Sequence, residues 1–104
     1  MVKVSKATFK GEVLDSEGVV VADFWAPWCM PCKMMEPILE RLSSDHGGKV
    51  KVVKINVDEE SELAAQFNIV SIPSLIIFSR GEKVNMQVGV VAQAALEKMI
   101  NEYL

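Results

Sequence analysis

The chain has 104 residues, half of them apolar, and a formal net charge of −3. That length suits one domain, 1–104, able to bury a core without staples. The acidic balance offers no basic face to nucleic acid or an anionic membrane, and no apolar run approaches the roughly 20 residues of a membrane span.

The opening MVKVSKATF lacks the apolar core of a secretory signal, so a reducing, cytoplasmic compartment is expected. Residues 2–4 read as a short strand. Thr8 is placed to cap a short helix that turns Phe9, Val13 and Leu14 inward and ends in a turn at residues 15–18. Residues 19–24 are apolar at nearly every position, as in a strand covered on both faces. A helix follows, with Pro31 in its first turn, where a missing N–H costs least. Its inward stripe is Cys32, Met35, Ile38, Leu39 and Leu42, and Pro37 is expected to kink it.

Residues 50–57, VKVVKINV, form a strand by their β-branched content. Residues 58–67 read as a short helix, acidic at its front, with Leu63, Ala64 and Phe67 behind. Strands at 75–78 and 83–88 are joined closely enough for an antiparallel hairpin. The last helix starts at Ala92 without a capping side chain and carries Ala95, Leu96, Met99, Ile100 and Tyr103 on the same face. The order βαβαβαββα gives an α/β fold, a central mixed sheet with helices on both faces. Sites in such sheets lie beyond the carboxyl ends of the strands.

The unusual residues cluster at the join between the strand at 19–24 and its helix. Both cysteines, both tryptophans and three of the four prolines fall within residues 19–42. A disulfide closing so short a loop stabilises by only roughly 2 kcal/mol, so folding is a poor reason for the pair. Zinc usually takes four ligands, and the only other soft donor, His46, sits in a loop-like SSDHGG stretch; no metal is expected unless two chains share one.

Positions i and i+3 at a helix start lie on one side, at separations that suit a disulfide. Cys29, at or before the first turn, can face solvent and attack. Cys32, one turn in and heading the buried stripe, resolves. An ordinary thiol is only a few per cent ionised at neutral pH. A helix N-terminus contributes about 0.3–1 kcal/mol to an anion, against ~1.4 per pKa unit, so further activation must come from hydrogen bonds.

Asp23 shares a strand face with Val19, Val21 and Trp25. Two readings stand. Burial raises its pKa and it exchanges a proton with Cys32, or it reaches the strand end or a bonded water. Lys54, amid Val52, Val53 and Ile55, either partners Asp23 or carries its ammonium out to solvent. Trp28 shields the thiol or packs in the core, a place that suits Trp25 better. Pro73 opens a strand, and cis is the minority isomer for such a bond. Gly89 allows a close backbone approach or simply ends its strand.

These residues, in this order, resemble the thioredoxin family over essentially the whole chain. The match is carried by DFWAPWC at 23–29, PCKM at 31–34, Pro37-Ile38-Leu39, KINVD at 54–58, IPS at 72–74, Gly81 and Gly89. The resemblance implies a protein-disulfide reductase with Cys29 as nucleophile and Cys32 as resolving thiol. Asp23 would be the buried acid serving Cys32, with Lys54 beside it, and Pro73 would be cis. Trp28, Ile72, Gly89 and Val90 would line a substrate groove that pairs with a partner strand near Ile72, with Met30, Pro31 and Val70 on the same surface. The implied partners are disulfide-containing proteins and a thioredoxin reductase. That reductase holds the NADPH and FAD chemistry, so the chain, a monomer, binds no cofactor.

Three positions depart from the family pattern. Met30 replaces the usual Gly, which bears on redox poise. Val70 replaces a common basic residue, and Ala92 a common hydroxyl cap. Met30 and Val70 are expected to make the groove more apolar and less positive. Competing readings are an oxidant or isomerase of the same fold, a non-enzymatic docking subunit, and a dimer bridged by metal or cluster through Cys29 and Cys32.

Overall fold

The computed structural model describes all 104 residues. In chain order it has β1 (Val2–Lys3), a π-helical turn (Lys10–Leu14), β2 (Val19–Trp25), α1 (Met30–Asp45), β3 (Val50–Asn56), α2 (Ser61–Gln66), β4 (Ser74–Ser79), β5 (Glu82–Val88) and α3 (Gln93–Asn101). The strands form one mixed sheet in the order β1-β3-β2-β4-β5. β1, β3 and β2 run parallel; β4 and β5 are antiparallel to their neighbours. The expected α/β architecture is the one observed.

β2 sits at the centre because its run VVVADF can be buried on both sides, and all six of those residues are. Strand alternation then divides the core. Val19 and Val21 pack under α1 and α3, with Met35, Leu39, Leu42, Leu96 and Ile100. Val20, Ala22 and Phe24 pack on the opposite face with Phe9, Val13, Leu63 and Phe78.

Several local expectations need correction. Thr8 does not cap the first helix: its hydroxyl accepts the Ser5 N–H at 2.9 Å, and the helical turn begins after Phe9 without a side-chain cap. That turn is wound as a π-helix, closed by the Asp15 N–H on the Lys10 carbonyl. The wider winding leaves Leu14 exposed while Phe9 and Val13 stay buried. α2 starts at Ser61 rather than at residue 58, because residues 58–60 are held as a turn by the Glu59 and Glu60 N–H groups on the Asn56 carbonyl. Ala92 is the N-cap of α3, exposed and without a side-chain bond, so it leaves the buried stripe; Tyr103 lies past the helix end.

α1 runs unbroken through Pro37. Proline removes the bond to the carbonyl of Lys33, and both residues lie on the exposed side, where water can serve that carbonyl. The β4–β5 hairpin turns on Arg80 and Gly81, with φ of 51° and 80°, as a two-residue turn of the right twist requires. A Cβ on Gly81 would also collide with the Leu14 carbonyl. No helix is long and apolar enough to cross a membrane.

Candidate active site at the start of α1

β2, β3 and β5 end, and β4 begins, at the same edge of the sheet, and α1 starts there. Cys29 is the N-cap of α1 and Pro31 lies in its first turn. An N-cap side chain normally satisfies one of the free N–H groups of a first helical turn. Here the acceptor is sulfur: the Cys32 N–H points at Cys29 Sγ at 3.2 Å. The two cysteines form a disulfide, with Cα atoms 5.3 Å apart.

Cys29 is not the solvent-facing residue that its place in the helix suggests. It is 4 % exposed against 1 % for Cys32. Ala26 and both cysteines form a small apolar cluster, with Trp25, Val57 and Ile72 packed against it. The Ile72 carbonyl oxygen lies 3.9 Å from Cys29 Sγ. Val57 and Ile72 bring part of that cover from segments distant in the sequence, which a helix-start argument does not see.

The Ile72–Pro73 bond is cis. The Pro73 carbonyl accepts the Gly89 N–H at 2.8 Å, which brings the end of β5 beside it. Gly89 has φ of 91°, a left-handed conformation that favours glycine. The space where its Cβ would stand is open, so no part of this chain makes the close approach.

Trp28 is no core residue: it is 68 % exposed, and its indole N–H donates to Asp58 Oδ2 at 2.9 Å. Asp58 is a second residue at the site, in turn held by its N–H on Asn56 Oδ1. Trp28, Val57, Ile69, Val70 and Ile72 line an apolar depression of about 160 Å³. Val70 is 95 % exposed and Met30 69 %. Met30, Pro31 and Val90 are exposed but lie outside that depression. Two larger hollows, of about 520 and 530 Å³, open near Arg80 at the far end of the sheet and hold none of these residues.

Beneath this surface lies a buried charge cluster. Parallel register sets Asp23 beside Lys54. Asp23 is fully buried and Lys54 nearly so, so Lys54 does not reach solvent. Its ammonium lies 2.7 Å from Asp23 Oδ2. That ammonium is the one partner of the Asp23 carboxyl, and Oδ1 has none. Lys54 also donates to Glu36 Oε1 on α1, at 2.9 Å. The ammonium also sits 4.8 Å from the centre of the Trp25 ring. Burial drives the Asp23 carboxyl above its ordinary 3.8; Lys54 opposes this and Glu36 reinforces it.

Glu36 escaped the sequence reading, although one signal pointed to it. It stands four residues after Cys32, on the edge of the inward stripe, where an acid is out of place. Chemically the site offers a disulfide at a helix start, backbone groups near Ile72 and Gly89 that can meet an extended partner, and a buried acid that holds its proton more tightly than usual.

The thioredoxin family model matches residues 1–102. The chain is 50 % identical to the thioredoxin of Synechocystis sp. over 102 residues, covering 98 % of this chain and 95 % of that protein. It is 47 % identical to the thioredoxin of Bacillus subtilis over 104 residues, covering 100 % and 98 %. The M-type chloroplastic thioredoxin of Spinacia oleracea is 42 % identical over 101 residues, which cover 97 % of this chain and 56 % of that protein.

Proposed function

The chain belongs to the thioredoxin family and is a thiol–disulfide oxidoreductase, and from that premise we propose that it works as a protein-disulfide reductase with Cys29 attacking and Cys32 resolving. The observation that carries the reading is the Cys29–Cys32 disulfide at the N-terminus of α1, with the Cys32 N–H directed at Cys29 Sγ. That N–H is a donor already aimed at the sulfur on which thiolate charge would develop, and it adds to the helix N-terminus.

The reduced form starts the cycle. Cys29 thiolate attacks one sulfur of a substrate disulfide; a mixed disulfide forms and one substrate sulfur leaves as a thiolate. Cys32 passes its proton to the Asp23 carboxylate and attacks Cys29 Sγ. The mixed disulfide breaks, the second substrate sulfur leaves, and the Cys29–Cys32 disulfide is restored. Two electrons reach the substrate. Support for the part given to Asp23 is its full burial and raised pKa, which make it a stronger base than an ordinary carboxylate. Lys54 tunes that acid from its place 2.7 Å away.

Substrate segments lie as extended strands over Ile72, Pro73, Gly89 and Val90. The Trp28–Val70 depression takes an apolar side chain, and Met30 and Pro31 border the thiol. Electrons come from a thioredoxin reductase that carries FAD and draws on NADPH, so the chain itself needs no bound cofactor. The working form is a monomeric domain, 1–104, acting in the cytoplasm in electron transport and redox homeostasis.

Trapping tests the assignment of the two sulfurs. Cys32→Ser expressed in cells should accumulate mixed disulfides through Cys29, identifiable by mass spectrometry, whereas Cys29→Ser should capture almost none. Capture by Cys29→Ser and not by Cys32→Ser would reverse the roles.

A further inference from the structure

Lys54 presents an inconsistency if Asp23 is its only counter-ion. A buried ammonium is costly without a compensating charge, yet an acid that moves protons is neutral for part of each cycle. The geometry resolves this. The ammonium lies between two carboxylates: it donates to Glu36 Oε1 at 2.9 Å and stands 2.7 Å from Asp23 Oδ2. The Glu36 side chain is 38 % exposed, so water stabilises its charge in a way that Asp23, at 0 %, cannot share.

We propose that Glu36 is a positioning residue of the dithiol site: it is the standing counter-ion of Lys54, and it leaves Asp23 free to gain and lose a proton without rebuilding the buried ion pair. The proposal deepens the reading above and rests on it for Asp23's part at Cys32. With Asp23 ionised, the three groups sum to one negative charge; with Asp23 protonated they sum to zero. Glu36 therefore favours the protonated acid by repulsion, opposing the pull of Lys54 on the carboxylate.

The surroundings add no competing charge. In register, Asp23 has Lys54 on β3 and Leu75 on β4. α1 contributes Glu36 and, in the reduced protein, the Cys32 thiol. α3, the other helix on this face, buries only Leu96 and Ile100. The two charges that act on Asp23 are Lys54 and Glu36.

The test is to label aspartate carboxyl carbons with ¹³C and follow Asp23 by NMR against pH in the wild type and in Glu36→Gln. Gln keeps the helix and the side-chain length at a partly exposed position, so the fold is retained. In parallel, the rate at which Cys32 resolves a mixed disulfide with a small chromogenic thiol is measured across the same pH range. The expected result is a midpoint for Asp23 that falls in Glu36→Gln, a several-fold loss of proton affinity, with the rise of the resolving rate moving to lower pH alongside it. A midpoint that does not move, or that rises, overturns the proposal. A midpoint that falls while the rate profile stays in place upholds the hold of Glu36 on Asp23 and overturns Asp23's part at Cys32.

Discussion

Asp23 and Phe24 are consecutive residues of β2, both with no exposed surface, and they face opposite sides of the sheet. Phe24 enters a cluster of rings: Phe67 lies 6.0 Å from it, and Phe9 and Phe78 stand 5.4 and 5.9 Å from Phe67. No buried charge falls on that face. The other face is just as tightly packed under α1 and α3, yet it holds Asp23 and Lys54 and ends at the disulfide. Equal burial thus has opposite consequences. An aromatic ring gains from leaving water, and a carboxylate loses unless a partner or a proton compensates it. One face supplies stability and the other gives some up to hold chemistry.

The largest effect expected from breaking this contrast is on the aromatic side. Phe24→Ala should lose about 3–5 kcal/mol through lost burial and the cavity left behind, measured by urea unfolding. The loss should be the same at pH 5 and pH 8, since nothing ionisable faces that ring. A pH-dependent loss would mean that the two faces are coupled.

The next effect runs the other way. Asp23 has a folded pKa raised above the ordinary 3.8. Between those two values the folded chain keeps a proton that the unfolded chain has shed. Stability is therefore full below 3.8, falls as pH rises through the folded value, and stays low above it. Asp23→Asn removes that fall while Glu36 still compensates Lys54. It should exceed the wild type at pH 8 by about 1.4 kcal/mol for each unit by which the pKa is raised, and match it near pH 3. Unfolding curves at the two pH values decide it; a variant less stable than the wild type at pH 8 would show that the Asp23–Lys54 pair is net stabilising.

The smallest effect sharpens the comparison at the helix that covers the working face. Ala92 has φ −66° and ψ 150°, the extended backbone of an N-cap, but no side chain that can accept a bond. Ala92→Ser should add about 1 kcal/mol, seen as a higher urea midpoint with unchanged slope. No gain would place the first turn of α3 outside the cooperative unit.

Much of the fold was legible because its signals are local. The runs VVVADF and VKVVKINV, the stripe from Cys32 to Leu42, and Ser79-Arg80-Gly81-Glu82 between two strands each state a local geometry. Misreadings along the chain arose where one short-range hydrogen bond displaced another that the residue type also allowed. Thr8 had the right chemistry for a cap, but Ser5 took its oxygen. Residues 58–60 looked helical, but Asn56 held them as a turn. At the site, the motif placed both sulfurs at the start of α1, while the burial of Cys29 depended on Ile72, forty-three residues on.

The residues alone therefore determined which groups are available: two thiols three positions apart, an acid inside an apolar strand, and a lysine inside another. Tertiary structure decided what those groups are to each other. Parallel register set Lys54 beside Asp23, and the packing of α1 on the sheet brought Glu36 to the same ammonium. The reason is physical. Periodicity and capping act within a turn or two of chain, whereas solvation and Coulomb energy depend on distances that exist only after strands and helices have met.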